Sequence, residues 1–97
     1  MKSARLVGVR RWELLDLPIP EPTPGKMLVH LQRTAICGTD KPAWMGLDAT
    51  YPMEPGRSGH EGMGKVIACP SGRYAEGERV LLYGFDRGLF QEYTLAS

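Results

Sequence analysis

The chain has 97 residues and an almost balanced charge, with 12 Lys and Arg against 11 Asp and Glu. A nucleic-acid-binding domain of this size normally carries a basic excess, so a formal net charge of +1 predicts no nucleic-acid partner. No apolar run approaches the roughly 18 residues of a membrane span, and the N-terminus lacks a signal-peptide core, which predicts no membrane partner. The 2 cysteines lie 32 positions apart and form a poor disulfide framework, so we expect a reducing, cytoplasmic setting.

Short strands are the predicted elements, because 12 glycines and 8 prolines interrupt the chain about every ten residues. The clearest strand is 27–36, whose apolar side chains alternate with polar ones such as His30, predicted to be solvated. Its apolar face comprises Met27, Val29, Leu31 and Ala35. The segment 39–46 lacks alternation and predicts a short helical turn. The other strands are expected over residues 3–9, 12–17, 64–68, 78–83 and 90–96. This pattern predicts a mainly β fold, a small barrel or sandwich, in one domain of residues 1–97.

Three side chains, a thiol, an imidazole and a carboxylate, are candidates for a functional site. Cys37 lies in the stretch AICGTD, and His60 and Glu61 lie in GHEGMGKV. Such groups form the ligand set of a catalytic zinc, which has three protein ligands and one open position. Asp40 could accept the free N–H of a ligating histidine and fix its tautomer. Neighbouring residues of a regular strand point to opposite faces, so His60 and Glu61 share a site only if the surrounding glycines make the backbone irregular.

Other interpretations of these residues stay open at this point. Cys37 alone is more often a buried structural cysteine, and an adjacent His-Glu is more often a surface pair. A nucleophilic pair of Cys37 and His60 is a further alternative, but the sequence supplies neither an oxyanion hole nor an orienting residue for it.

Four stretches, ICGTDKPAWMG, PGRSGHEGMGKV, GERVLLYG and FQEYTLA, resemble in order and approximate spacing the N-terminal catalytic domain of the zinc-dependent medium-chain alcohol and polyol dehydrogenases. The resemblance implies a GroES-like, partly open β-barrel with at most one or two short helical turns. It implies Cys37 and His60 as zinc ligands, with Glu61 as a ligand or an exchangeable neighbour. Thr39 would hydrogen-bond the substrate hydroxyl and pass on its proton, while Asp40 would orient His60.

Trp44 is similar to a tryptophan in the yeast-type version of this motif and would line the substrate pocket; a core aromatic on a short helix is the alternative. By the same resemblance, the chain is the catalytic portion of an NAD(P)-linked oxidoreductase that converts an alcohol, polyol or sugar hydroxyl to a carbonyl. Its partner would be a small-molecule alcohol.

The chain also departs from that family. The glycines of 59–64 read G-x-x-G-x-G and lead to Cys69-Pro70, whereas the dinucleotide fingerprint needs strand, G-x-G-x-x-G and helix. We therefore expect NAD or NADP only through a second domain absent from this chain, and no activity from the 97 residues alone. GFDRG (84–88) replaces the four-cysteine lobe, so we expect one catalytic zinc and no structural zinc. The fourth ligand usually lies further along, and Cys69 is predicted to be remote from the site.

Two further expectations concern partners. Leu89, Phe90 and Leu95 are the apolar residues expected to be exposed where a second domain would pack, which predicts self-association. The alternative function is that of a stand-alone barrel of the chaperonin-10 kind, a binding or assembly module without catalysis, in which Cys37 and His60 have no role.

Overall fold

The computed structural model describes residues 1–47, 49–84 and 88–97. The fold is mainly β, as predicted, and its helical content is confined to a 3₁₀ turn at Gly38–Asp40 and one short helix, α1, at Lys41–Met45. The strands in chain order are β1 (Lys2–Gly8), β2 (Arg11–Asp16), β3 (Met27–Thr34), β4 (Glu61–Ala68), β5 (Arg79–Tyr83) and β6 (Tyr93–Ala96). Among the described residues, no helix is long and apolar enough to cross a membrane.

The strands form two antiparallel sheets that do not close on each other. β1 and β2 make a hairpin, and the second sheet has the order β5-β4-β3-β6. The segment before β6 joins them: Ser3 bridges to Gln91, and the Ala4 N–H donates to the Phe90 carbonyl at 2.8 Å. The arrangement agrees with a partial GroES-like fold, an incompletely closed barrel.

The core lies on one face of the larger sheet. It includes two fully buried β-branched side chains, Val29 of β3 and Val66 of β4, both 0% exposed. Burying a valine of this kind stabilises the fold by roughly 1.5–3 kcal/mol. The remaining core side chains are Met27, Leu31, Leu82, Leu89 and Ala96. Alternation in β3 therefore predicted its core-facing residues correctly as far as Leu31.

Several boundaries and burial assignments differ from the expectations. Ala35 is exposed, because β3 ends at Thr34 and the chain then turns toward the 3₁₀ turn. Strand β4 begins three residues earlier than predicted, at Glu61 rather than residue 64, and β6 begins later, at Tyr93. His30 is half-buried rather than solvated, because its ring stacks on the ring of Tyr93 with centroids 4.6 Å apart.

The prediction of an exposed apolar surface near the C-terminus was wrong for Leu89, which is 0% exposed. Its backbone N–H donates to the Ser58 carbonyl at 3.0 Å, and this contact holds the side chain against the core. Phe90 and Leu95 are half-buried. Residues 85–87 of the GFDRG segment lie outside the described residues, so the expectation of no structural zinc there stays a prediction.

Candidate metal centre

A tight turn after β3 positions Cys37. Its backbone is extended, with φ −97° and ψ 157°, and its N–H donates to Asp40 Oδ2 at 2.8 Å. The Asp40 N–H in turn donates to the Cys37 carbonyl at 2.9 Å. This reciprocal pair closes the first turn of the 3₁₀ segment, much as a side-chain cap closes a helix N-terminus. Cys37, Thr39 and Asp40 are thereby held within one short turn.

A backbone bend before β4 positions His60 and Glu61. Gly59 has φ +90°, a conformation that side-chain-bearing residues rarely adopt, and a Cβ there would lie 2.8 Å from the Phe90 ring. The chain on either side is held by the sheet: the His60 carbonyl accepts the Gly84 N–H at 3.0 Å, and the Glu61 carbonyl accepts the Ala35 N–H at 2.9 Å. The irregular backbone that a shared site requires is thus present at Gly59.

The turn after β3 and the bend before β4 bring three potential ligands together. Cys37 Sγ, a His60 ring nitrogen and a Glu61 carboxylate oxygen all lie within 4.8 Å of one another. In a tetrahedral zinc site with ordinary bond lengths, ligand atoms lie roughly 3.4–3.6 Å apart, so the separations would have to shrink by at most about 1.2–1.4 Å. Among the described residues, this is the one group of three or more such side chains that could hold a metal ion. The donor set and its spacing fit zinc.

The His60 ring is held between two other candidate residues. Nδ1 lies 3.5 Å from Asp40 Oδ1, and Nε2 lies 3.2 Å from Thr39 Oγ1. The ring also meets Tyr83 edge-on, with centroids 6.1 Å apart. Because the Asp40 carboxylate faces Nδ1, it favours the tautomer with a proton there and leaves Nε2 available as a ligand, the usual arrangement behind a metal-binding histidine.

Hydrogen bonding and charge shift both titrating groups. Hydrogen bonds from the Thr39 hydroxyl, then from its backbone, and then from His60 lower the pKa of the Cys37 thiol. The hydrogen bond with Cys37 raises the pKa of His60, burial opposes that shift, and the charge of Asp40 adds to it. Each shift favours the charged form of its group, the thiolate of Cys37 and the imidazolium of His60. The thiolate is the form that binds a metal, whereas the imidazole must lose its extra proton.

Two cavities adjoin the candidate ligands. The first, about 160 Å³, is lined by Thr39, Asp40 and His60. The second, about 290 Å³, is mainly apolar and is lined in part by Trp44. The Arg10 guanidinium lies over the Trp44 ring, 5.3 Å from the ring centroid. Trp44 and His60 thus line different cavities. Three residues line both cavities, which are therefore neighbours: Trp12, Asp40 and Phe90.

Trp12 and Phe90 were missed by the sequence analysis. Their rings meet edge to face with centroids 5.6 Å apart, although 78 positions separate them in the chain. Trp12 lies in no motif, and Phe90, the first residue of FQEYTLA, was expected at a domain-packing surface rather than at this site. The two rings meet because the hairpin of β1 and β2 contacts the segment before β6, where the Ala4 N–H donates to the Phe90 carbonyl. Cys69, by contrast, lies outside the ligand group, as predicted.

Comparisons with known proteins identify the family of this chain. The model of the alcohol dehydrogenase GroES-like domain matches residues 23–97. An alcohol dehydrogenase of Rhizobium meliloti is 37% identical over 67 residues, which cover 67% of this chain and 20% of that protein. An L-threonine 3-dehydrogenase of Rhizobium etli is 38% identical over 85 residues, covering 82% and 24% respectively. The chain thus spans only about a fifth to a quarter of the curated relatives it matches.

Solved structures give the same fold. The glucose dehydrogenase of Haloferax mediterranei, determined in complex with NADP, Zn and gluconolactone, superposes with a TM-score of 0.80 at 22% identity. The match covers 99% of this chain and 36% of that one. The expected resemblance is therefore confirmed, and the chain belongs to the alcohol dehydrogenase GroES-like domain family.

Proposed function

We propose that this chain is the catalytic portion of a zinc-dependent, NAD(P)-linked oxidoreductase acting on the hydroxyl of an alcohol, polyol or sugar. One observation carries the proposal: Cys37, His60 and Glu61 converge within 4.8 Å, with Asp40 on one side of the imidazole and Thr39 on the other. The names of the relatives support it, since they are an alcohol dehydrogenase and an L-threonine 3-dehydrogenase.

Cys37 and His60 would hold the zinc ion, and Glu61 would be a third ligand or a neighbour that exchanges with water. When bound, zinc would supply a Lewis acid that makes a nearby hydroxyl more acidic. Asp40 would keep the His60 proton on Nδ1, so that Nε2 stays free of a proton. Asp40 also binds the Cys37 N–H at 2.8 Å, so one carboxylate would position both ligands.

Thr39 would handle the substrate proton. Its hydroxyl lies 3.2 Å from His60 Nε2 and faces the cavity of about 160 Å³, so it can accept a hydrogen bond from a substrate hydroxyl placed there. A positioned hydroxyl that relays a proton typically contributes through geometry and general acid–base catalysis. The cavity's remaining role would be to hold the carbon that bears the hydroxyl in a fixed orientation.

The nicotinamide would be held by residues outside these 97. The glucose dehydrogenase that shares this fold was determined with NADP, but the chain itself has no strand, G-x-G-x-x-G and helix in sequence. The 97 residues alone should therefore neither bind NADH tightly nor oxidise alcohols. Micromolar NADH binding in a fluorescence titration would contradict this part of the proposal.

The central test is a metal titration of the purified chain. We expect one Co²⁺ or Zn²⁺ per chain, with a thiolate-to-cobalt charge-transfer band that disappears in Cys37→Ser. The matched control is Cys69→Ser, which should keep the band. A folded chain that binds no metal would overturn the proposal and favour the non-catalytic barrel instead.

Two secondary proposals follow from the same site. Cys37 must be a reduced thiol in order to ligate, and we therefore propose a reducing, cytoplasmic location for the protein. Self-association is expected through exposed apolar side chains. Ile36 (81% exposed) and Leu81 (85% exposed) are such side chains, whereas Leu89 is buried. A monomer in sedimentation at high concentration would count against the second of these.

A further inference from the structure

We propose that the cavity beside His60 selects a substrate carrying an oxyanion, a carboxylate or a phosphate, and that Arg57 binds this group. The inference rests on the proposed function for the position of the reacting hydroxyl. It adds a specificity residue and a substrate class: small hydroxy acids or phosphorylated alcohols rather than neutral polyols.

The size of the cavity limits the distance between the substrate's reacting hydroxyl and its anionic group. Arg57 and Ser58 line the same cavity of about 160 Å³ as Thr39 and His60. A cavity of roughly 150 Å³ accommodates a molecule the size of benzene. A molecule that places a hydroxyl beside Thr39 and an anionic group beside Arg57 therefore contains only a few carbon atoms between them.

The turn that carries Arg57 has a fixed backbone. The Ser58 carbonyl accepts the N–H groups of Leu89 and Phe90 at 3.0 and 3.2 Å. On its other side the turn packs backbone to backbone, since a Cβ on Gly88 would lie 1.6 Å from the Gly56 carbonyl oxygen. Only glycine permits that approach. Arg57 is thus presented by a turn anchored next to the buried Leu89, and its exposed side chain lines the cavity.

Within residues 1–47, 49–84 and 88–97, no carboxylate forms an ion pair with this guanidinium. Among the described residues, the ion pairs are Arg5 with Glu13 and His60 with Asp40, and neither includes Arg57. Asp40 is the carboxylate that lines the cavity, but its Oδ1 faces His60 and its Oδ2 accepts the Cys37 N–H. The cavity therefore presents an arginine whose planar, two-pronged donor set suits a carboxylate or a phosphate.

The experiment compares matched pairs of small alcohols that differ in charge. Lactate is paired with 1,2-propanediol, and glycerol 3-phosphate with glycerol, so that the two arms separate carboxylate from phosphate. Each compound is titrated at constant ionic strength into the Zn²⁺-loaded chain, and binding is followed through the backbone amide NMR shifts of Thr39, Ser58 and Gly59. We expect the charged member of at least one pair to bind about ten- to a hundredfold more tightly.

Variants assign that preference. Arg57→Gln should abolish it, and Arg57→Lys should keep part of it. The matched control is Arg73→Gln, because Arg73 lines a different cavity, beside Cys69. Equal binding of the charged and neutral members, or a preference that survives in Arg57→Gln, would overturn the inference.

The two proposals fail in different ways. If the chain binds zinc through Cys37 but shows no charge preference, the oxyanion inference is wrong and the proposed function stands. If the Arg57-dependent preference appears in a chain that binds no metal, the proposed function is wrong and the oxyanion site stands. A chain that neither binds zinc nor shows the Arg57-dependent preference would overturn both proposals.

Discussion

The two cysteines lie at opposite ends of the same strand pair. β3 and β4 run antiparallel, with Thr34 opposite Gly62 at one end and Leu28 opposite Ala68 at the other. Cys37 follows the end of β3 and so lies beside the beginning of β4, where His60 and Glu61 are. Cys69 follows the end of β4 and is carried away from them by eight residues of strand, about 26 Å at 3.3 Å per residue.

The environments of the two thiols differ in partners more than in acidity. The pKa of Cys69 is also lowered, first by the hydroxyl of Ser71 at 3.3 Å and then by the backbone of Tyr74 and its neighbours. Cys37 has an imidazole and a carboxylate within 4.8 Å as well. The comparison shows that a lowered thiol pKa does not by itself make a metal site. Convergence of several donor atoms does, because each additional ligand adds to the affinity.

The largest expected effect comes from removing a ligand. Cys37→Ser and His60→Ala should abolish measurable zinc binding, because each removes one of the two principal donors. Competition with a colorimetric chelator measures the loss, and circular dichroism checks that both variants remain folded. Zinc binding that survives in folded His60→Ala would show that the ligands are not those assigned.

Removing the charge behind His60 should have the next largest effect. Asp40→Asn should weaken zinc binding by roughly 10–100-fold, the usual result of losing the carboxylate behind a ligating histidine. It should also lower the pKa of His60, since the Asp40 charge contributes to the present upward shift. NMR titration of the imidazole reports the pKa. Asp16→Asn, on the exposed edge of β2, is the matched control and should change neither quantity.

The pH dependence of zinc binding follows from the raised pKa of His60. Zinc requires a neutral imidazole as well as a thiolate, so the contribution of His60 to binding is fully available above its pKa and is lost as the pH falls through it. That pKa is raised, so the loss should begin above the ordinary histidine value of about 6.5. We expect the logarithm of the affinity to fall by about one additional unit per pH unit below this point. A titration that showed no added pH dependence between about pH 5 and 8 would exclude His60 as a ligand.

The smallest expected effect belongs to Cys69. Cys69→Ser should leave zinc affinity within about twofold of the parent, because the thiol lies at the far end of β4. The same contrast should appear in thiol labelling: zinc should slow alkylation of Cys37 by at least about tenfold and leave Cys69 unchanged. Mass spectrometry of the labelled peptides separates the two sites. Equal protection of both thiols would contradict the assignment of a single site.

Sequence alone predicted the candidate ligands because their signals are local. Cys37, Thr39 and Asp40 lie within four residues, and His60 and Glu61 are adjacent within a glycine-rich stretch. The resemblance to a known family covers the same stretches. The strands were likewise predictable where alternation was regular, as in β3, and failed where burial depended on a distant neighbour, as for Leu89.

What the sequence by itself determined is therefore the set of candidate ligands and the mainly β fold, through side-chain types and period-two patterning. Only the tertiary structure decided which groups meet. The antiparallel register of β3 and β4 separates the two cysteines, and the bend at Gly59 turns His60 and Glu61 toward one point. The segment before β6 brings Phe90 against Trp12. These contacts join residues far apart in the chain, and strand pairing and packing, rather than any local pattern, determine them.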